Sequence, residues 1–224
     1  MGLFFKFLET KDIPIPLKNA QRFFWLLFAS ILATYALAVA WAKPLFGIFL
    51  INSLGVILQL AALFFFLQVV WKNRQSIISV LGQSDNTNGI QWPRYLLPIA
   101  FYALLAKVVM QAAVVIPAIA KVAYTIRNFV IGFIHLILLA VISTALVAFA
   151  QQAKLINRNR WINTGLVLLL SGILLSEGVL FLQGTLLWGG VGFLPKYYEG
   201  LFGVSTLMPI GLAFILGGNL LPKQ

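Results

Sequence analysis

Cysteine is absent from this 224-residue chain. Its absence excludes disulfides, cysteine-ligated zinc, iron–sulfur clusters and thiol catalysis. Acids are scarce too: five Asp and Glu stand against sixteen Lys and Arg, and charged residues make up only 9% of the sequence. Histidine occurs once, at His135, so the chain cannot assemble a histidine cluster and no metal site is expected from its own residues. A histidine-based triad would have to be built on that one apolar-segment residue. There is no G-x-x-x-x-G-K-[ST] phosphate loop, H-E-x-x-H zinc motif or G-x-S-x-G nucleophile elbow. Hydrolase chemistry is not expected, and the residues leave open whether the chain is itself an enzyme.

What is present is apolar bulk. Hydrophobic residues are 61% of the chain and mean hydropathy is +0.98, well above the apolar share of soluble domains. Several uninterrupted apolar runs reach the roughly 18–20 residues that cross a bilayer as a helix. The strict alternation of a transmembrane barrel strand is missing. The expected class is all-α: a polytopic transmembrane helical bundle, whose partner is the lipid bilayer. The net charge of +11 does not signal nucleic acid, because the basic residues form no single patch. They punctuate the ends of apolar segments, as topology-setting charges do.

Six spans are expected, at about Phe23–Trp41, Pro44–Trp71, Pro93–Ala120, Arg127–Ala153, Trp161–Trp188 and Leu201–Leu221. Pro117 falls near the end of the third and is a point where that helix kinks or stops. The sixth is weakened by Gly203, Pro209, Gly211, Gly217 and Gly218. GQSDNTNG (82–89) is the most polar loop, and KLINRNR is a basic one. Residues 1–22 read as a cytoplasmic or interfacial N-terminal segment ahead of a six-helix domain at 23–224. MGLFFKFLETKDIPIPLK lacks the apolar core of a signal peptide. Its first nine residues read equally as the end of a preceding helix or as a short helix lying on the membrane surface. With the N-terminus inside, eleven of the sixteen basic residues fall on the cytoplasmic side. That bias places both termini in the cytoplasm.

The functional leads are ionisable residues inside apolar segments. Lys107, His135 and Glu177 each sit where a charge costs roughly 2.5–3.5 kcal/mol, so they are expected to face the bundle interior, a cavity or a cofactor. Lys107 and Gln111 share a helix face one turn apart, and Lys107 can relieve its charge by pairing with Glu177, by meeting backbone carbonyls or by lining water. Glu177 has no cation near it in sequence, which leaves a proton relay and a structural ion pair as its two readings. His135 lies about two turns from Asn128 and from Ser143, roughly on one stripe. Its imidazole can ligate iron or another metal, relay protons, or bond across helices. Arg127 and Asn128 open the fourth span and complete the polar candidates. Asn52, Gly55 and Gln59 share a face of the second span and read as helix–helix packing.

The stretch RNFVIGFIHLILLAVISTAL, with the preceding AKVVMQAAVVIPAIAKVAY, resembles the second half of large bacterial polytopic membrane proteins. Those are distantly similar to subunit I of haem–copper oxidases and to the NnrS family of haem–copper membrane proteins. GFIHL is similar to the second half of the H-F-H-Y-V type motif of such oxidases, which implies a low-spin haem ligand position for His135. The other histidine of that pattern is Phe133 here, and the copper-ligating histidines have no counterpart in the chain. The resemblance therefore implies partner histidines on another membrane subunit, or on an N-terminal half preceding MGLFFKFLE, with haem bound only in their company.

Three readings follow. The leading one is a bacterial inner-membrane (cytoplasmic-membrane) multi-pass protein that forms one half or one subunit of a haem–copper-oxidase-like respiratory or gas-handling assembly. The second is a transporter or proton-conducting bundle using buried Lys107 and Glu177. The third is a scaffold subunit of a membrane complex.

Overall fold

The computed structural model describes residues 2–35, 46–82 and 90–220. All regular structure among them is helical: α1 Gly2–Thr10, α2 Leu17–Thr34, α3 Phe46–Lys72, α4 Arg74–Gly82, α5 Pro93–Ala113, α6 Pro117–Thr125, α7 Arg127–His135, a π-helical segment Leu136–Ser143, α8 Thr144–Gln152, α9 Arg160–Trp188 and α10 Tyr197–Leu220. Five helical stretches are long and apolar enough to cross a bilayer: Leu50–Lys72, Pro93–Ala113, Arg127–Gln152, Arg160–Trp188 and Tyr197–Leu220. The chain is thus built as a multi-pass, all-helical membrane protein. The expected first span is helical through Thr34; its remainder, like the polar loop at 83–89, lies outside the described residues.

Two boundaries depart from the sequence expectation. The third span stops at Ala113 rather than continuing to Ala120, and Pro117 opens a separate helix. Proline has no N–H to donate and its ring collides with the carbonyl four residues back, so it interrupts one helix and suits the first turn of the next. The sixth span runs unbroken from Tyr197 to Leu220, with Pro209 inside it. Its glycines are not all breakers, because Gly211 and Gly218 form a contact surface.

The chain divides into two compact units, Met1–Gln83 with Val108–Lys121, and Ser84–Lys107 with Val122–Gln224. In the first unit α2 and α3 pack closely side by side. Gly55 of α3 makes this possible: a Cβ there would lie 2.8 Å from the Thr34 backbone nitrogen. Asn52 and Gln59, on the same face, are buried, Asn52 with neither amide atom bonded. Asn19 Nδ2 donates to Gln68 Oε1 at 3.1 Å, and Asn73 Nδ2 donates to the Pro14 carbonyl at 3.1 Å. These bonds bring the start of α2 beside the end of α3, so the pair is antiparallel. The N-terminal nine-residue helix is a separate element that seats Phe4 and Phe5 against Phe66, and Phe5 against Phe23.

In the second unit α9 and α10 form a tight helical hairpin. A Cβ on Gly165 would stand 2.6 Å from the Gly211 carbonyl oxygen, and one on Gly211 would stand 2.7 Å from the Leu169 nitrogen. Only glycine lets the backbones approach this closely, the usual device for membrane helices that gain no hydrophobic drive from one another. Both ends of the hairpin are tied. Asn159 caps α9 by accepting from Ile162 N at 2.9 Å and donates Nδ2 to the Gly218 carbonyl at 2.7 Å. Asn157 N donates to Asn219 Oδ1 at 2.9 Å. At the other end Gln183 donates to the Gly192 carbonyl at 3.1 Å and accepts from Leu194 N at 2.9 Å. The loop that it holds turns through Gly190 and Gly192, whose φ values of 71° and 97° suit glycine. The core joins Leu96, Ala103, Ala140, Ala148, Ile162, Leu166, Leu169, Ile173 and Ile215, while Leu138, Ile142, Leu174, Leu182, Leu212 and Leu216 point outward as a lipid-facing surface does.

Candidate functional site: a buried His–Glu pair beside a π-helix

The site lies in the second unit, where α7 runs against α9. Two glycines set the approach. A Cβ on Gly184 of α9 would come within 2.9 Å of the Phe129 ring, and one on Gly132 of α7 would come within 3.2 Å of the Phe181 ring and 3.5 Å of Glu177 Oε2. The phenyl rings of Phe129 and Phe181 fill the space so left, 6.2 Å apart at their centroids. Phe129 opposes Gly184 and Gly132 opposes Phe181, so α7 and α9 are antiparallel. The next turn of α7 then carries His135 to the level of Glu177.

There His135 Nδ1 lies 4.0 Å from Glu177 Oε1. The gap is longer than a hydrogen bond. Glu177 is 8% exposed and its flanking Ser176 is fully buried. Both carboxylate oxygens and His135 Nδ1 are buried and make no hydrogen bond. Orphaned polar atoms of this kind are uncommon in folded proteins, and each needs an explanation. The imidazole is not wholly enclosed, the His135 side chain being 36% exposed overall.

The π segment begins at the residue after His135. Its widened turns leave carbonyls that side chains answer: Ser143 Oγ donates to the Leu138 carbonyl at 2.8 Å and Thr144 Oγ1 to the Leu139 carbonyl at 3.1 Å, each five residues back. π-Helical turns are rare and concentrate at functional sites. Nothing in the composition of LILLAVIS marks it in advance; Ser143 and Thr144, side by side in an apolar run, are its one legible trace.

The remaining candidates are distributed. Asn128 does not reach His135: its Nδ2 bonds Tyr197 Oη at 2.7 Å, tying the start of α7 to the start of α10. Ser143 serves its own helix. From His135 to Ser143 the stripe assumed a constant helical period, which the π segment does not keep. Arg127 is exposed at the first turn of α7. Lys107 is half-buried on α5, and among the described residues no carboxylate lies within ion-pair distance of it. Glu177 meets His135 instead. Gln111 is buried, with its Oε1 unbonded. Gln151 of α8, which sequence reasoning passed over, is 2% exposed with neither amide atom bonded.

Among the described residues no three His, Cys, Asp or Glu side chains gather in one place. Were iron bound here, His135 would be the one imidazole the chain could offer it, with Glu177 beside its Nδ1. Comparison of the chain with protein-family models, with curated proteins and with solved structures gives no match.

Proposed function

We propose that this protein is a six-span bacterial inner-membrane protein, with both termini cytoplasmic, in which His135 and Glu177 exchange protons at membrane depth as part of a proton-conducting or proton-coupled transport path. The observation that carries this reading is the 4.0 Å approach of His135 Nδ1 to Glu177 Oε1, with all three buried polar atoms unbonded. Neutral imidazole beside a carboxylic acid and imidazolium beside a carboxylate are both net neutral as a pair. One proton can therefore pass between the two side chains without placing a net charge in the apolar interior, where a charge costs roughly 2.5–3.5 kcal/mol. Histidine suits the role because it gains and loses a proton near neutral pH. Lys107, half-buried in the same unit, is a further ionisable group for such a path.

The test is proton flux in proteoliposomes holding a pH-sensitive dye, driven by a potassium diffusion potential. The intact chain acidifies the lumen faster than empty vesicles, and Glu177→Gln and His135→Gln, which keep shape and remove titration, return the rate to that of empty vesicles. Equal flux in the two variants and the unaltered chain, or no flux above empty vesicles, refutes the reading.

One observation favours a second reading, membership of a haem-binding assembly. Nδ1 of His135 is buried on the Glu177 side while the side chain as a whole is 36% exposed, and a carboxylate beside one ring nitrogen can orient an imidazole toward a metal. With one histidine in the chain, the second ligand would come from a partner subunit or a preceding half. An assembly purified with its partners then shows a Soret band that His135→Ala abolishes. An unchanged band in that variant ends this reading without touching the first.

A further inference from the structure

The first unit carries an open cleft of about 500 Å³ lined by Lys18, Gln21, Arg22, Trp25, Leu26 and Phe65. Lys18 and Arg22 are one turn apart on α2, so both cations stand on one face. The Arg22 guanidinium lies 5.5 Å from the centre of the Phe65 ring on α3, which fixes its position. Neither cation meets a carboxylate among the described residues.

The surroundings add to the positive field. The bonds from Asn19 to Gln68 and from Asn73 to Pro14 bring the start of α2 together with the end of α3, and so bring Lys72 and Arg74 to the same end as Lys18 and Arg22. Against these stand Asp12 and Glu9, the latter engaged by Lys6 at 3.0 Å. Trp25, Phe28 and Leu32 continue from Arg22 along the same face at helical spacing, and all three are exposed. The surface is thus a cationic cleft opening onto an apolar stripe about two turns long.

We propose that this cleft binds the headgroup of an anionic phospholipid, the phosphate held by Lys18 and Arg22 and one acyl chain lying along Trp25, Phe28 and Leu32. A diester phosphate matches two unpaired cations with an amide at Gln21 beside them. The apolar stripe begins where the glycerol would sit, and tryptophan belongs at that depth of the bilayer. A soluble anion would use the cations and leave the stripe idle; a zwitterionic lipid would use the stripe and set its own ammonium against Lys18.

The test is native mass spectrometry of the full chain in detergent, delipidated and titrated with phosphatidylglycerol or phosphatidylcholine of identical acyl chains. The first phosphatidylglycerol binds at least about tenfold more tightly than the first phosphatidylcholine. A cation at an anionic lipid surface is worth about fivefold in affinity, so Lys18→Gln with Arg22→Gln weakens phosphatidylglycerol by about twenty- to thirtyfold. Arg94→Gln with Lys196→Gln removes the same charge from exposed positions in the second unit and stays within about twofold of the unaltered chain. Lys18→Arg with Arg22→Lys keeps the preference, and it decides the matter should the glutamine pair fail to fold. Equal affinity for the two lipids, equal loss in the two glutamine pairs, loss of preference in the swapped pair, or displacement of phosphatidylglycerol by millimolar inorganic phosphate overturns the proposal.

Discussion

Replacing Gly211 by alanine should pry α9 and α10 apart. The added carbon would lie 2.6 Å from the Gly165 carbonyl oxygen and 2.7 Å from the Leu169 nitrogen. Both are backbone atoms of the facing helix, so no side-chain rotation relieves the contact. Restoring an ordinary separation of 3.4 Å requires the helices to part by about 0.8 Å. A gap of that size forfeits about a quarter to a half of the dispersion energy of each atom pair it opens, and overpacking of this kind costs about 1–3 kcal/mol. Parting also strains the 2.7 Å bond from Asn159 to the Gly218 carbonyl. We expect a loss near the top of that range, about 3 kcal/mol. Gly217→Ala is the internal control. It sits in the same helix with nothing within 4 Å of its would-be Cβ, and alanine there should stabilise by up to about 1 kcal/mol through helix propensity. Reversible unfolding in mixed micelles, titrated with SDS and followed by circular dichroism, reads both. If the two variants lie within about 1 kcal/mol of each other, the close glycine contact described here does not hold the hairpin together.

Asn159→Ala removes the cap on Ile162 N and the bond to Gly218 at once, and should cost about 1–2 kcal/mol in the same titration; an unchanged midpoint would mean that neither bond persists in the membrane. A cysteine placed at Asn157, in the loop between α8 and α9, should react with a membrane-impermeant thiol reagent only from the cytoplasmic side, because the flanking Lys154, Arg158 and Arg160 belong to the basic majority. Labelling from outside reverses the proposed orientation.

Hydropathy made the helices legible. Four of the five apolar stretches begin and end within a few residues of where runs and charges put them, and Pro117 announced the break that shortens the third. Three features stayed hidden for physical reasons. The glycines of α10 read as weak points because propensity belongs to a helix alone, whereas Gly211 acts through Gly165 on another helix. The π segment was invisible because hydrogen bonds reaching five residues back rather than four leave almost no compositional mark. The three ionisable residues stood out by their cost, but which of them meet depends on the antiparallel register of α7 and α9. That register is set by Phe129, Gly132, Phe181 and Gly184, and by nothing near Lys107.

The ties at both ends of the α9–α10 hairpin have a mechanical consequence. Asn157 and Asn159 hold one end, Gln183 the other, and the glycine backbones meet between them, so sliding or turning α10 along α9 breaks several contacts at once. Glu177 is therefore mounted on a stator. His135, by contrast, stands on the helix whose next turns are the π segment. A π turn can pass to α-helical pairing by shifting each backbone bond one residue, without breaking the membrane span as a whole.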